Sequence, residues 1–98
     1  MSLTLRWRDR AIHEAQDAYD WYEVRSQGLG ESLLLELDAH VDSLVQRSTG
    51  YPKWRGPYKK INLQRFPYIV VFRVVKDTVI IFSVFHSSRN PSRWGRLR

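Results

Sequence analysis

Tyr68-Ile69-Val70-Val71-Phe72-Arg73-Val74-Val75-Lys76-Asp77-Thr78-Val79-Ile80-Ile81-Phe82-Ser83-Val84-Phe85 is the stretch that decides the fold. Two runs rich in Val, Ile and Phe flank a polar dipeptide, the pattern of two buried strands joined by a two-residue hairpin. Neither Lys76 nor Asp77 is the glycine or Asn-Gly such a turn favours, so the flanking runs carry the assignment. Both strands are expected to be antiparallel and central in their sheet.

Outward from this hairpin, Lys59 to Gln64 reads as another strand. Gln64-Arg65-Phe66-Pro67 follows it, where the proline restricts Phe66 and forces a bend that fixes the direction of Arg65. Further back, Tyr51-Pro52-Lys53-Trp54-Arg55-Gly56-Pro57-Tyr58 has two prolines and a glycine and reads as an exposed loop. Leu3, Leu5 and Trp7 alternate with Thr4, Arg6 and Arg8, the period of a half-buried strand. Asp9 is placed to cap a helix from about Arg10 to Arg25, with Ala11, Ile12, Ala15, Ala18, Tyr19 and Tyr22 at helical spacing. Ser26-Gln27-Gly28-Leu29-Gly30 is a short link into a second helix ending near Ser48, with Leu33, Leu34, Leu37, Val41, Leu44 and Val45 on its apolar face. The order is β-α-α-β-β-β, an α+β domain with a helical hairpin packed on a small antiparallel sheet.

Composition agrees with one such domain spanning residues 1–98. The hydrophobic fraction is 43% and the aromatic fraction 13%, enough to bury a core. Cysteine is absent, which excludes disulfides, thiolate metal sites and a cysteine nucleophile, and fits a cytoplasmic protein. No run reaches the roughly 18 apolar residues of a membrane span, so no membrane association is expected. Asp17, Asp20 and Glu23 recur at the spacing of an ordinary solvated helix face, and neither a metal nor a cofactor is expected.

Charge is unevenly divided. Residues 1–48 hold five arginines against nine acids, a net −4, while residues 49–98 hold eleven Lys or Arg against Asp77 alone, a net +10. Clustered cations of this kind suit a polyanionic partner such as RNA or an acidic protein segment. Lys53, Arg55, Lys59 and Lys60 interleave with Tyr51, Trp54 and Tyr58, which supplies cations for phosphate and rings for stacking. Trp54 and Tyr58 serve equally well as a cover for the end of the core.

His86 and Arg89 follow the last strand, where a rigid base passes into solvent. A histidine there exchanges protons near neutral pH, and an arginine holds a phosphate or developing negative charge. Hydrogen bonding at the strand end is the plainer role for His86, and a salt bridge to a helix acid the plainer role for Arg65. Arg73, inside an apolar strand, belongs on the solvent side of the sheet or in a pair.

The chain resembles the RelE/ParE superfamily, the toxin halves of bacterial type II toxin-antitoxin modules, often labelled plasmid stabilization proteins. The resemblance is carried by Ala18-Tyr19-Asp20-Trp21-Tyr22, Gly28-Leu29-Gly30-Glu31, Tyr51-Pro52, Arg65-Phe66-Pro67-Tyr68 and His86-Ser87-Ser88-Arg89-Asn90-Pro91-Ser92-Arg93-Trp94. It implies the same order of elements, a cognate antitoxin that wraps the toxin, and growth arrest by the free toxin. Self-association into a homodimer stays open.

RelE-like members cut mRNA in the ribosome without a metal, whereas ParE-like members inhibit DNA gyrase. By resemblance, a nuclease would use Arg65, His86 and Arg89, while Lys53, Arg55, Lys59, Lys60, Arg73, Arg93 and Trp94 would bind RNA or another target. Trp94 stands where RelE-like nucleases commonly carry a terminal tyrosine, and the Phe-Pro-Tyr and His-x-x-Arg-x-Pro-x-x-Trp patterns are closer to the ParE-like branch. The resemblance therefore implies a gyrase inhibitor first and a ribosome-dependent endonuclease, or a nontoxic antitoxin-binding relative, as alternatives.

Overall fold

The computed structural model describes residues 3–46 and 53–88. Strand β1 (Thr4–Trp7) leads into helix α1 (Asp9–Arg25) and helix α2 (Leu29–Gln46), followed by β2 (Lys53–Arg55), β3 (Tyr58–Asn62), β4 (Tyr68–Val75) and β5 (Thr78–His86). The sheet order is β1-β5-β4-β3-β2. The helical hairpin covers one face, so the expected α+β architecture holds, with two differences in the sheet.

First, Lys53–Arg55 is a strand, antiparallel to β3, in the segment expected to be a loop. Gly56 takes a φ of 51° in the tight turn after it, and Trp54 packs near Phe85 at a centroid distance of 6.3 Å. That burial supports three residues whose flanking prolines and glycine read as irregular chain. Second, β1 lies parallel to β5, making the sheet mixed, while the other pairs are antiparallel. The helical hairpin supplies the long crossover that a parallel neighbour requires.

The core lies between helices and sheet. Ala11 and Ala18 of α1 and Leu33, Leu37, Val41 and Leu44 of α2 meet Ile61, Val70, Phe72, Val79, Ile81 and Val84, all buried. Arg8, rather than Asp9, occupies the cap position of α1 and makes no side-chain cap; Asp9 lies in the first turn, where its charge complements the helix dipole. The helices approach closely at Gly30, where an added Cβ would stand 2.6 Å from the Tyr19 carbonyl oxygen. The Glu23 carboxylate accepts hydrogen bonds from the backbone N–H of Gly28 and Gly30, both at 2.9 Å, closing the first turn of α2. The Gly28 bond is the main reason its carboxyl group is more acidic than usual. No helix among the described residues is long and apolar enough to cross a membrane.

The expected β4–β5 hairpin forms, with Lys76 at φ 57°, a left-handed conformation that few residues other than glycine adopt readily. Its ladder contains a bulge. Val71 pairs with Ser83 and Phe72 with Ile81, leaving Phe82 as the extra residue on β5. Across the bulge the carboxylate of Glu14, on α1 and itself buried, accepts from the Ser83 hydroxyl at 2.7 Å and the Val84 N–H at 2.9 Å. Both bonds end on the same oxygen, Oε1.

Candidate functional site: the open face of the sheet

The face opposite the helices has its own small apolar cluster. Val71 and Phe85 are buried there, with Trp54, Tyr58, Ile69 and Phe82 packed around them. Tyr58 and Phe82 meet edge to face at 5.1 Å. Trp54 and Tyr58 therefore do cover apolar surface, but on the open face rather than at the end of the main core.

Strand alternation then sorts the cations. Lys60 pairs with Val71 and so shares the open face, while Lys59 pairs with Phe72 and points to the helix-bearing side. Two adjacent lysines thus serve different surfaces. Arg73 falls two residues beyond Val71 and joins the open face, as expected for a half-buried arginine in an apolar strand. Arg55 sits 4.5 Å from the Trp54 ring centroid and Lys60 5.9 Å from it, both in cation–π range. Lys53 is exposed at the outer edge, opposite Lys59.

Two further arginines belong to this face and escape a reading centred on the basic C-terminal half. Arg6 pairs with Ile80, the open-face partner of Arg73, and the guanidinium of Arg8 lies 5.2 Å from the Phe82 ring centroid. The alternation of Thr4, Arg6 and Arg8 against Leu3, Leu5 and Trp7 is the signal that identifies them. Among the described residues, none of Arg6, Arg8, Arg55, Lys60 or Arg73 forms an ion pair with a carboxylate.

The residues singled out for acid-base chemistry sit elsewhere. From Ile80 and Phe82, simple alternation would carry Val84 and His86 onto the open face. The bulge reverses that parity, so Val84 enters the main core and His86 pairs with Tyr68 on the helix-bearing side. The His86 ring meets the Tyr68 ring at 5.2 Å, and its Nδ1 accepts from the Ser88 N–H at 3.1 Å. Arg65 lies toward the same side, its guanidinium 5.9 Å from the ring of the buried Phe66.

Glu36 of α2 reaches Arg65, but through the backbone. Its carboxylate accepts from the N–H groups of Gln64 and Arg65, not from the guanidinium, and it also contacts His40 Nε2 at 3.2 Å. Burial alone would raise the pKa of Glu36, yet the Gln64 and Arg65 N–H bonds and His40 outweigh it and hold the carboxyl below its usual range. Glu36 thus fixes the bend from which Arg65 projects. Arg89, Arg93 and Trp94 lie outside the described residues, as do Tyr51 and Pro52. Among the described residues no group of His, Asp and Glu is arranged to hold a metal ion.

A sheet face of aromatics and of cations without carboxylate partners among the described residues, backed by a helical hairpin, agrees with what comparison with known families finds: residues 5–91 match the model described as the ParE toxin of the type II toxin-antitoxin system, parDE. The chain belongs to the ParE toxin family. It therefore falls within the RelE/ParE superfamily that its motifs resemble.

Solved structures of a ParDE system and of RelE share the fold of this ParE-family chain. It is similar to the chromosomal ParDE toxin-antitoxin system from P. aeruginosa, with a TM-score of 0.76 and 21% identity over 87% of this chain and 96% of that one. A mutant of the E. coli toxin RelE in the free state superposes with a TM-score of 0.71 at 21% identity, covering 93% of this chain and 90% of that one. The same mutant toxin in complex with an antitoxin RelBc peptide gives 0.68 at 20% identity, over 100% and 97% of the two chains. At such identities the likeness speaks for the shared fold. No curated protein sequence matches the chain at a significant level.

Proposed function

We propose that this chain is the toxin of a type II toxin-antitoxin module, that it arrests growth by inhibiting DNA gyrase, and that the open sheet face meets the target and is masked by the antitoxin. The observation that carries the choice of target is the division between the two faces. Cleavage of RNA through its 2′-OH needs a proton acceptor, a proton donor and phosphate-binding cations converging on one reacting centre. Here His86 and Arg65 lie toward the helix-bearing side while Lys60, Arg73 and Arg55 stand on the open face. Inhibition by binding has no such requirement. It needs a well-packed patch of the residue types that dominate interfaces, and Trp54, Tyr58, Arg55 and Arg73 are of those types.

The same face suits an antitoxin segment rich in Asp and Glu, because its cations have no carboxylate partners of their own among the described residues. The family of the chain and the ParDE and RelE–RelBc structures support that partner.

The test is induction of the chain in cells with and without the neighbouring antitoxin gene, followed by plasmid topology and primer extension on ribosome-bound mRNA. The proposal expects growth arrest, relaxed plasmid, no new mRNA ends, and rescue by the antitoxin. Uninhibited growth would remove the toxin reading, and new mRNA ends with normal supercoiling would replace gyrase by the ribosome.

A further inference from the structure

Where β1 turns into α1, a groove of about 380 Å³ opens at the β1 edge of the open face, lined by Arg6, Trp7, Arg8, Asp9, Arg10, Tyr58 and Phe82. We propose that this groove is a binding site for a ligand that joins a phosphate group to an aromatic base through a sugar, that is, a nucleotide. Nothing in the toxin reading requires it, and it does not rest on that reading.

Charge is the first argument. Arg6 on β1 and Arg8 just beyond it, in extended backbone at the cap of α1, stand two residues apart and so share one face, and neither has a carboxylate partner among the described residues. Arg10 engages Glu14 through Nε alone, at 3.3 Å, which leaves its two terminal amines as donors. Three guanidinium groups around one groove repel each other, and Asp9 is the carboxylate set against them on its wall. With Asp9 on the wall and Glu14 paired to Arg10, the surplus is about one positive charge, which attracts a phosphate monoester carrying roughly −1.5 to −2 near neutral pH. All three cations are arginines, whose planar forks bind phosphate oxygens in pairs where a lysine would act as a point charge.

Size and wall chemistry are the second argument. A lone phosphate or carboxylate would leave most of 380 Å³ unfilled, whereas the volume falls within the roughly 300–1,000 Å³ of small-ligand sites. Tyr58 and Phe82 supply an aromatic wall, the element that nucleobases find in single-strand binding sites. Arg8, 5.2 Å from the Phe82 ring centroid, ties the cationic part to the aromatic part.

Isothermal titration calorimetry on the full chain with AMP, adenosine, inorganic phosphate and a short oligothymidylate tests this directly. AMP is expected to bind below about 1 mM, with adenosine and inorganic phosphate each weaker by about tenfold or more, since each lacks one part of the ligand. Arg6→Ala and Arg8→Ala should each weaken AMP by about tenfold or more with unchanged thermal melting, while Arg25→Ala, stacked on Trp21 at the far end of α1, should leave it unchanged. An oligonucleotide binding no tighter than AMP supports a free nucleotide as the source of the phosphate. One binding much tighter, and losing that advantage in Arg8→Ala, supports a nucleic-acid backbone phosphate. No heat with AMP up to about 1 mM, binding that survives both arginine variants, or inorganic phosphate binding as well as AMP would overturn the proposal.

Discussion

Glu14 links the helical layer to the open face, and replacing it offers a quantitative test of how that face is built. The side chain is buried, and Oε1 alone accepts from both Ser83 Oγ and Val84 N, at 2.7 and 2.9 Å. In Glu14→Ala two donors that are themselves buried lose their acceptor, at about 1–3 kcal/mol each. The Arg10 contact through Oε2 is partly exposed and adds at most about 1 kcal/mol. The expected cost is about 3–5 kcal/mol, a large share of the 5–15 kcal/mol typical of a domain. With about 4–8 °C per kcal/mol for a domain of this size, melting should fall by roughly 12–40 °C.

Glu14→Gln separates bonding from burial. Its carbonyl oxygen can replace Oε1 and keep both bonds, so it should cost only about 1 kcal/mol, the charge-assisted part of the interaction. Urea unfolding with m-values compared across variants measures these differences. Ser83→Ala placed in the Glu14→Ala background should recover about 1 kcal/mol, because it removes an orphaned hydroxyl. Equal costs for the Ala and Gln variants, or a Glu14→Ala cost below about 1 kcal/mol, would refute the claim that this carboxylate closes the bulge.

Two other perturbations probe the supports of the site. Glu36→Gln should cost about 1–2 kcal/mol near neutral pH, through weakened bonds to the Gln64 and Arg65 N–H groups. Because the folded-state pKa of Glu36 is depressed below its ordinary 4.5, its contribution is fully present above that value and is lost as pH falls through the lower folded value. Urea titrations of the two proteins should therefore converge on acidification below about pH 4.5, and a constant gap across that range would contradict the assignment. Gly30→Ala gains helix propensity but sets a Cβ 2.6 Å from the Tyr19 carbonyl oxygen, so a net loss of about 1–2 kcal/mol is expected by thermal melting, and a stabilised variant would show that the helices can separate at no cost.

The elements with strong periodicity were legible because burial imposes it. The apolar spacing of Leu33, Leu37, Val41 and Leu44 and the β-branched runs of β4 and β5 each admit one structure. β2 was not, since three residues between proline and glycine carry no period and are held by tertiary contacts of Trp54. The parallel pairing of β1 was also hidden, because alternation reports a buried face and says nothing of the neighbouring strand. For the site, the basic character of the second half was plain, but its division between surfaces was not. Lys59 and Lys60 must part because adjacent strand residues do. His86 parts from Arg73 because of one extra residue at Phe82, a bulge that no local signal in Phe82-Ser83-Val84 announces.

The central claim is that the open face, rather than the rim bearing Arg65 and His86, makes this chain a toxin. It is tested most directly by titrating purified variants into a gyrase supercoiling reaction. Lys60→Glu with Arg73→Glu reverses two open-face charges and should raise the inhibitory concentration by about a hundredfold, at 1–2 kcal/mol per lost interfacial charge contact, while Arg65→Ala with His86→Ala should match the parent. An inhibitor that tolerates the open-face reversal but fails when Arg65 and His86 are removed would contradict the account.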